Sequence, residues 1–357
     1  LKRRRRIMTT TMTEGKFRNL EKLANAKGVI AAAAMDQRGS LRKSIAKEKG
    51  CDPANVTYEM MAEFKTAVTK VLTPYATAIL LDPEFGLEAA KKRASNAGLL
   101  LAYESTGYDQ SSPGRIPMLV PHWTVSKSLA QGANAIKILL YYSPYEKPEI
   151  NEIKHAWVER IGAECAHHDI PFFLEFVGYP VTGEDEKGIE YARRKPTVVK
   201  RSMEEFSQDR YRVDVLKVEV PVNMKFVQGA RACKGPAPSG ETAYTRDEAK
   251  EHFRSAAAVA TKPFIYLSAG VSDEEFREGL ELAIEAGVRF NGVLCGRATW
   301  KEGIPIYAKS GPEALERWLS DRGVQNIKAL NAVLEKGAHP WFERYGGRQK
   351  INLIFKT

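Results

Sequence analysis

Cysteine is scarce. The 357-residue chain has four, Cys51, Cys165, Cys233 and Cys295, with no CxxC pair among them. That spacing fits neither a disulfide framework nor a zinc knuckle, and it points to a reducing, cytoplasmic setting. Long apolar runs are missing as well. No window approaches the roughly 18 uninterrupted apolar residues of a spanning helix, so no membrane association is expected. The phosphate-loop patterns GxGxxG and GxxxxGK(S/T) are absent, as is the nucleophile-elbow pattern GxSxG. Histidine is sparse too: of the six residues His122, His155, His167, His168, His252 and His339, none ends an apolar run. Zinc chemistry therefore lacks its ligands, and no metal or other cofactor is expected.

What is present is an ordinary globular composition, 43% hydrophobic and 27% charged. It is enough to bury one large core. The net charge of +10 is concentrated at one end, because five of the positive residues are Lys2 to Arg6. No apolar segment follows them, so they do not read as a secretion signal. No aromatic-interleaved basic surface accompanies them either, so no nucleic-acid partner is expected. Residues 1–14 are read as a disordered basic tail.

From about Gly15 the chain alternates apolar runs with amphipathic stretches. Eight runs read as strands: Gly28–Met35, Thr77–Leu81, Leu99–Tyr103, Ala135–Tyr142, Pro171–Tyr179, Val215–Val222, Phe264–Ala269 and Phe290–Cys295. Most are continuously apolar rather than alternating, as strands buried on both faces require. Helical patterns such as Tyr58–Val71, Ile153–His167 and Ser272–Ala286 lie between them. Strand–helix alternation repeated eight times predicts an α/β fold, a (β/α)8 TIM barrel. An open doubly wound sheet is disfavoured by the missing phosphate loops. Gly15–Lys27 reads as an N-terminal helix covering the bottom of the barrel, and Pro312–Ser320 and Asn326–Lys336 as a C-terminal helical extension. The organisation is one barrel over residues 15–335, with residues 336–357 as an irregular C-terminal extension.

In such a barrel the chemistry sits at the C-terminal ends of the strands. Those ends carry Asp36, Asp82, Glu104, Lys137, Glu175, Lys217, Glu219, Ser268 and Arg297. Two are lysines inside apolar strands, in Ala135-Ile136-Lys137-Ile138-Leu139 and Val215-Leu216-Lys217-Val218-Glu219. Burying an isolated ammonium costs several kcal/mol unless it is paired or gives up its proton. The pattern therefore allows two readings: a buried ion-pair network, or an amine acting as nucleophile toward a carbonyl. Glu175 and Asp36 are the candidate offsetting acids. A second feature is the end of the last two strands. Ser268-Ala269-Gly270 leads into a helix whose free N–H groups face outward, and Cys295-Gly296-Arg297 offers close backbone approach beside a guanidinium. Together they predict a phosphate site.

Seven segments then carry a resemblance: Met35-Asp36-Gln37-Arg38-Gly39, Leu81-Asp82-Pro83-Glu84-Phe85-Gly86, Leu101-Ala102-Tyr103-Glu104, Lys137-Ile138-Leu139-Leu140-Tyr141-Tyr142, Leu216-Lys217-Val218-Glu219-Val220-Pro221, Tyr266-Leu267-Ser268-Ala269-Gly270-Val271 and Gly292-Val293-Leu294-Cys295-Gly296-Arg297-Ala298-Thr299-Trp300. From about residue 15 to 335 the sequence resembles the class I tagatose-bisphosphate aldolases, metal-independent lyases of bacterial lactose and galactose catabolism. By that resemblance Lys217 matches the Schiff-base lysine, and Asp36, Lys137 and Glu175 match the other active-site residues. Ser268, Gly270, Gly296 and Arg297 match the site for the phosphate of the dihydroxyacetone phosphate half. The implied substrate is a phosphorylated ketose, the implied role of Glu175 is proton shuttling, and the family implies a homo-oligomer. The resemblance leaves open an alternative within the class, an aldolase for fructose 1,6-bisphosphate or sulfofructose phosphate. Gln37 and Arg38 are the residues expected near the distal anion. The Gly- and Pro-rich stretch Lys225–Glu241 reads as an insertion beside the site that bears on substrate choice.

Overall fold

The computed structural model describes residues 10–109, 111–233 and 241–356. The basic run Lys2–Arg6 lies outside the described residues, as does 234–240 of the expected insertion. Ten strands are present: β1 (Thr10–Thr13), β2 (Ile30–Ala34), β3 (Ala78–Leu81), β4 (Gly98–Ala102), β5 (Ala135–Tyr141), β6 (Phe172–Val177), β7 (Val215–Glu219), β8 (Phe264–Leu267), β9 (Gly292–Cys295) and β10 (Ile351–Ile354). Strands β2 to β9 close in chain order into a parallel barrel with helices between them. All eight predicted runs are its staves, and the (β/α)8 prediction holds.

Alternation along each stave divides the apolar side chains into two cores. Residues pointing outward pack under the helices. Residues pointing inward fill the barrel, with Ala32, Ala34, Ala78, Ala102 and Ala135 leaving room for Phe173, Ile265 and Leu294. The seam between β2 and β9 requires glycine. At Gly292, with φ 132°, a Cβ would lie 1.8 Å from the carbonyl oxygen of Ile30.

The bottom of the barrel is sealed by both chain ends. Helix Glu14–Leu23 contributes Leu20 and Leu23, and Trp341 inserts beside them with no exposed surface. Two sequence expectations are corrected here. The tail was expected to run to residue 14, yet Thr10–Thr13 forms β1, paired in parallel with β10. The C-terminal segment was expected to be irregular, yet it carries the Trp341 plug, two short 3-10 turns and β10. Burial of Trp341 contributes to anchoring this segment together with the β1–β10 pairing, and no periodicity announces it.

At the opposite end, helix Tyr58–Leu72 sends Lys65 under the strand ends. Its ammonium donates to the carbonyls of Met35 (2.7 Å) and Gln37 (2.8 Å) and pairs with Asp82 at 2.6 Å, both side chains fully buried. Asp82 also accepts from the backbone N–H groups of Glu84 and Phe85. This strand-end acid thus joins β2 to β3. Removing one partner of such a pair leaves an uncompensated buried charge. Lys65→Met is therefore expected to lower the unfolding free energy by about 3–5 kcal/mol in denaturant titration. A loss below about 1 kcal/mol would show that the pair does not hold the strand ends.

Among the described residues no helix is long and apolar enough to cross a membrane.

Candidate active site

Two residues up from the apolar interior layer, the inward-facing positions turn charged. Ala135 is followed by Lys137, Phe173 by Glu175, and Val215 by Lys217, on three adjacent staves. The period of two puts all three side chains inside the barrel at its C-terminal end.

Lys137 has no exposed surface and is the hub. Its ammonium lies 2.7 Å from Asp36 Oδ2, 2.9 Å from Glu104 Oε1 and 2.8 Å from Glu175 Oε2. The same Oε2 of Glu175 lies 2.8 Å from Lys217 Nζ. One carboxylate oxygen therefore bridges both in-strand lysines. Burial opposes every charge here and is the largest single influence, but the partners outweigh it. Lys137 and Lys217 hold the carboxyls of Asp36 and Glu175 below their ordinary range, and Asp36, Glu104 and Glu175 hold Lys137 above its own. Asp36 and Glu175 are thus carboxylates and Lys137 is an ammonium throughout the neutral range.

A cavity of about 600 Å³ opens over this cluster. It is lined by Asp36, Gln37, Glu175, Lys217, Ser268 and Arg297, among others. Arg297 makes no ion pair with its guanidinium among the described residues. It lies instead across Gly270, where a Cβ would come within 2.7 Å of Arg297 Cζ. Gly296 is close to Gln37, so a side chain there would crowd the amide at 3.2 Å. Ser268, Gly270, Gly296 and Arg297 are therefore brought together, as expected.

Three expectations need correction. Arg38 is 4% exposed and gripped by acids: it pairs with Glu84 at 2.9 Å and donates to the Glu104 carbonyl at 2.6 Å. Burial works against its charge, but Glu104, Asp82 and Glu84 raise its pKa. It lines the cavity as a cation already engaged by Glu84 and Glu104, not as an unpaired one. Gln37 donates to Asp36 Oδ1 at 3.1 Å and sits toward Gly296, not at a far pole. The helix after β8, Asp273–Glu285, was expected to present free N–H groups to an anion. Its first turn is already met by the Ser272 cap and by Asp273, Glu274 and Glu275.

Glu219 shares a strand face with Lys217 yet does not pair with it. Its oxygens meet Lys195 at 3.1 Å and the Gly178 N–H at 2.8 Å. Lys65, Lys195 and the role of Glu104 escaped the sequence reading. Lys65 left a trace, a lysine on the apolar face of its helix beside Met61, Phe64 and Val68. Of the expected insertion, Arg231 and Ala232 are fastened by their N–H groups to Glu278, and Lys225 lines a second cavity of about 370 Å³ that adjoins the first.

Known proteins resemble this chain along most of its length. The family model of the DeoC/LacD family aldolases matches residues 30–302. A Listeria monocytogenes protein named tagatose 1,6-diphosphate aldolase is 48% identical over 345 residues, 97% of this chain and 99% of its own. An Enterococcus faecalis protein, tagatose 1,6-diphosphate aldolase 2, is 51% identical over 331 residues, 93% of this chain and 97% of its own. Among solved structures, the fructose-bisphosphate aldolase of Plasmodium falciparum shares the fold, with a TM-score of 0.64 at 13% identity, over 92% of this chain and 98% of that one. With the family model covering all eight staves and relatives matching nearly end to end, the chain belongs to the DeoC/LacD family of aldolases.

Proposed function

We propose that this aldolase cleaves D-tagatose 1,6-bisphosphate to dihydroxyacetone phosphate and D-glyceraldehyde 3-phosphate through a Schiff base on Lys217. The observation that carries the reading is Lys217 Nζ, nearly buried and 2.8 Å from Glu175, in one cavity with an Arg297 that makes no ion pair among the described residues. The names of the relatives supply the sugar.

The chemistry follows from the placements. Lys217 gives a proton to Glu175 and attacks the C2 ketone of the open-chain sugar. Glu175 returns that proton to the carbinolamine hydroxyl, which leaves as water, and the resulting iminium draws electrons from the C3–C4 bond. Glu175 takes the C4 hydroxyl proton as that bond breaks, glyceraldehyde 3-phosphate departs, and an enamine remains on Lys217. Reprotonation at C3 and hydrolysis free dihydroxyacetone phosphate and the amine. Lys137 stays charged throughout, holding Asp36 and Glu175 in place. Arg297, Ser268 and Gly270 receive the phosphate next to the ketone. The substrate is the expected partner, and the free thiols Cys51, Cys165 and Cys295 support a cytoplasmic location.

The test is borohydride reduction in the presence of dihydroxyacetone phosphate, followed by intact mass and peptide mapping. A single adduct on Lys217 is expected; cleavage without an adduct would overturn the Schiff base. A panel of tagatose, fructose and sulfofructose phosphates then settles the sugar. Arg297→Ala is expected to reduce kcat/KM for a phosphorylated ketose by about 100-fold, mainly through KM, because two charge-assisted hydrogen bonds are lost. A fall confined to kcat would place the phosphate elsewhere.

A further inference from the structure

The turn after β8 adopts a costly shape. The Ser268 carbonyl accepts from the Val271 N–H at 3.0 Å, closing a four-residue turn. Both central residues are left-handed, Ala269 at φ 47° and Gly270 at φ 80°. In such turns the first central position ordinarily takes glycine, asparagine or aspartate. Alanine there is strained, and strain of this kind persists only where surrounding structure enforces it.

Lys301 bonds to this turn from a neighbouring segment. It follows the short helix Arg297–Trp300 and reaches back to donate from Nζ to the Gly270 carbonyl at 3.1 Å. Arg297, four residues earlier, lies over the same glycine. One segment thus meets the turn twice, with the Arg297 guanidinium packed beside Gly270 and the Lys301 ammonium bonded to the Gly270 carbonyl. Among the described residues neither cation makes an ion pair. Burial lowers the pKa of Lys301, Arg297 and Lys225 add to that, and Glu302 and Glu275 oppose it. Two cations held close without a carboxylate partner leave positive potential at one wall of the cavity.

We infer that Lys301 is a positioning residue for substrate: it locks the Ser268–Val271 turn into the anion-receiving shape and, with Arg297, biases that end of the cavity toward a phosphate dianion. The inference rests on reading this turn as the phosphate site of the proposed aldolase.

The experiment compares the full-length wild type with Lys301→Met, Lys301→Arg, Ala269→Gly and the Ala269→Gly/Lys301→Met pair. Three readouts are taken: KM and kcat for tagatose 1,6-bisphosphate, competitive inhibition by inorganic phosphate, and borohydride trapping on Lys217. Lys301→Met is expected to raise both KM and the phosphate inhibition constant about tenfold, the equivalent of one charge-assisted hydrogen bond, with a smaller change in kcat. Lys301→Arg should restore most of the affinity. Adding Ala269→Gly should recover part of the loss, because glycine relieves the strain that Lys301 holds. If Lys301→Met leaves KM and phosphate inhibition at wild-type values, or lowers kcat alone, the inference is overturned. Should Lys301→Met not fold, Lys301→Gln takes its place, and wild-type KM and phosphate inhibition in that variant overturn the inference equally. Loss of the wild-type adduct on Lys217 instead overturns the aldolase mechanism, a separate outcome.

Discussion

Lys217→Met is expected to reduce cleavage on the order of 10⁴-fold or more and to abolish the borohydride adduct, while the protein stays folded. The proposed nucleophile has no substitute among its neighbours. Lys137 has its ammonium surrounded by Asp36, Glu104 and Glu175, and its proton is held by all three. A methionine fills the space of the lysine stem and carries no amine, so the covalent route is closed and only binding and general acid–base effects remain. Stability should change little by comparison. Lys217 contributes one ion pair, to a Glu175 that keeps Lys137 as a partner at 2.8 Å. The measurement is single-turnover cleavage together with peptide mapping of the reduced protein. Substantial turnover in the variant would show that another amine carries the intermediate.

Lys137→Met is the complementary case, in which stability falls as well as turnover. Removing the hub leaves Asp36, Glu104 and Glu175 sharing a buried space, offset by Lys217, Arg38 and the more distant Lys65. Breaking a buried pair costs about 3–5 kcal/mol. Turnover should fall about 10²–10⁴-fold, because Glu175 and Asp36 lose the group that orients them.

The pH dependence of that loss has a definite sign. In the wild type Asp36 and Glu175 titrate below their ordinary values of 3.8 and 4.5. The stability they contribute is fully present above those values and is lost as pH falls through the lower folded ones. Lys137 is raised, so its contribution is present below 10.5 and fades only as pH rises through its higher folded value. In Lys137→Met the carboxyls lose their counter-charge and their proton affinity rises. The stability gap between variant and wild type should therefore be widest near neutrality and narrow as pH drops toward 5. Denaturant titrations at pH 5, 6 and 7.5 measure it. A gap that widens on acidification would mean that the carboxylates are stabilised by something other than Lys137.

The family assignment also bears on the charged network around the site. Arg38 and Glu104 link outward to Glu84, while Lys65 and Asp82 link β2 to β3 beneath it. The proposed site is thus backed by buried ion pairs, some at the cavity wall (Arg38, Glu104) and some beneath it (Lys65, Asp82). Such pairs fix orientation better than they stabilise, since the desolvation of each charge offsets much of its attraction.

Much of this protein was legible in its sequence. Strands buried on both faces need unbroken apolar runs, and helices between parallel strands need a separate period, so eight alternations specified the barrel. The period of two likewise placed Lys137, Glu175 and Lys217 on the inner face, because position along a stave decides which way a side chain points. What only the tertiary structure decided are contacts between residues far apart in the chain. That Glu175, and not the nearer Glu219, meets Lys217 depends on how adjacent staves are staggered. That Arg38 turns toward Glu84 and Glu104, that Trp341 plugs the barrel bottom, and that Lys301 holds the Gly270 carbonyl depend on where loops and chain ends return. Local periodicity fixes the direction of a side chain. Which partner waits there is set by closure of the barrel, which brings the ends of eight strands to one place.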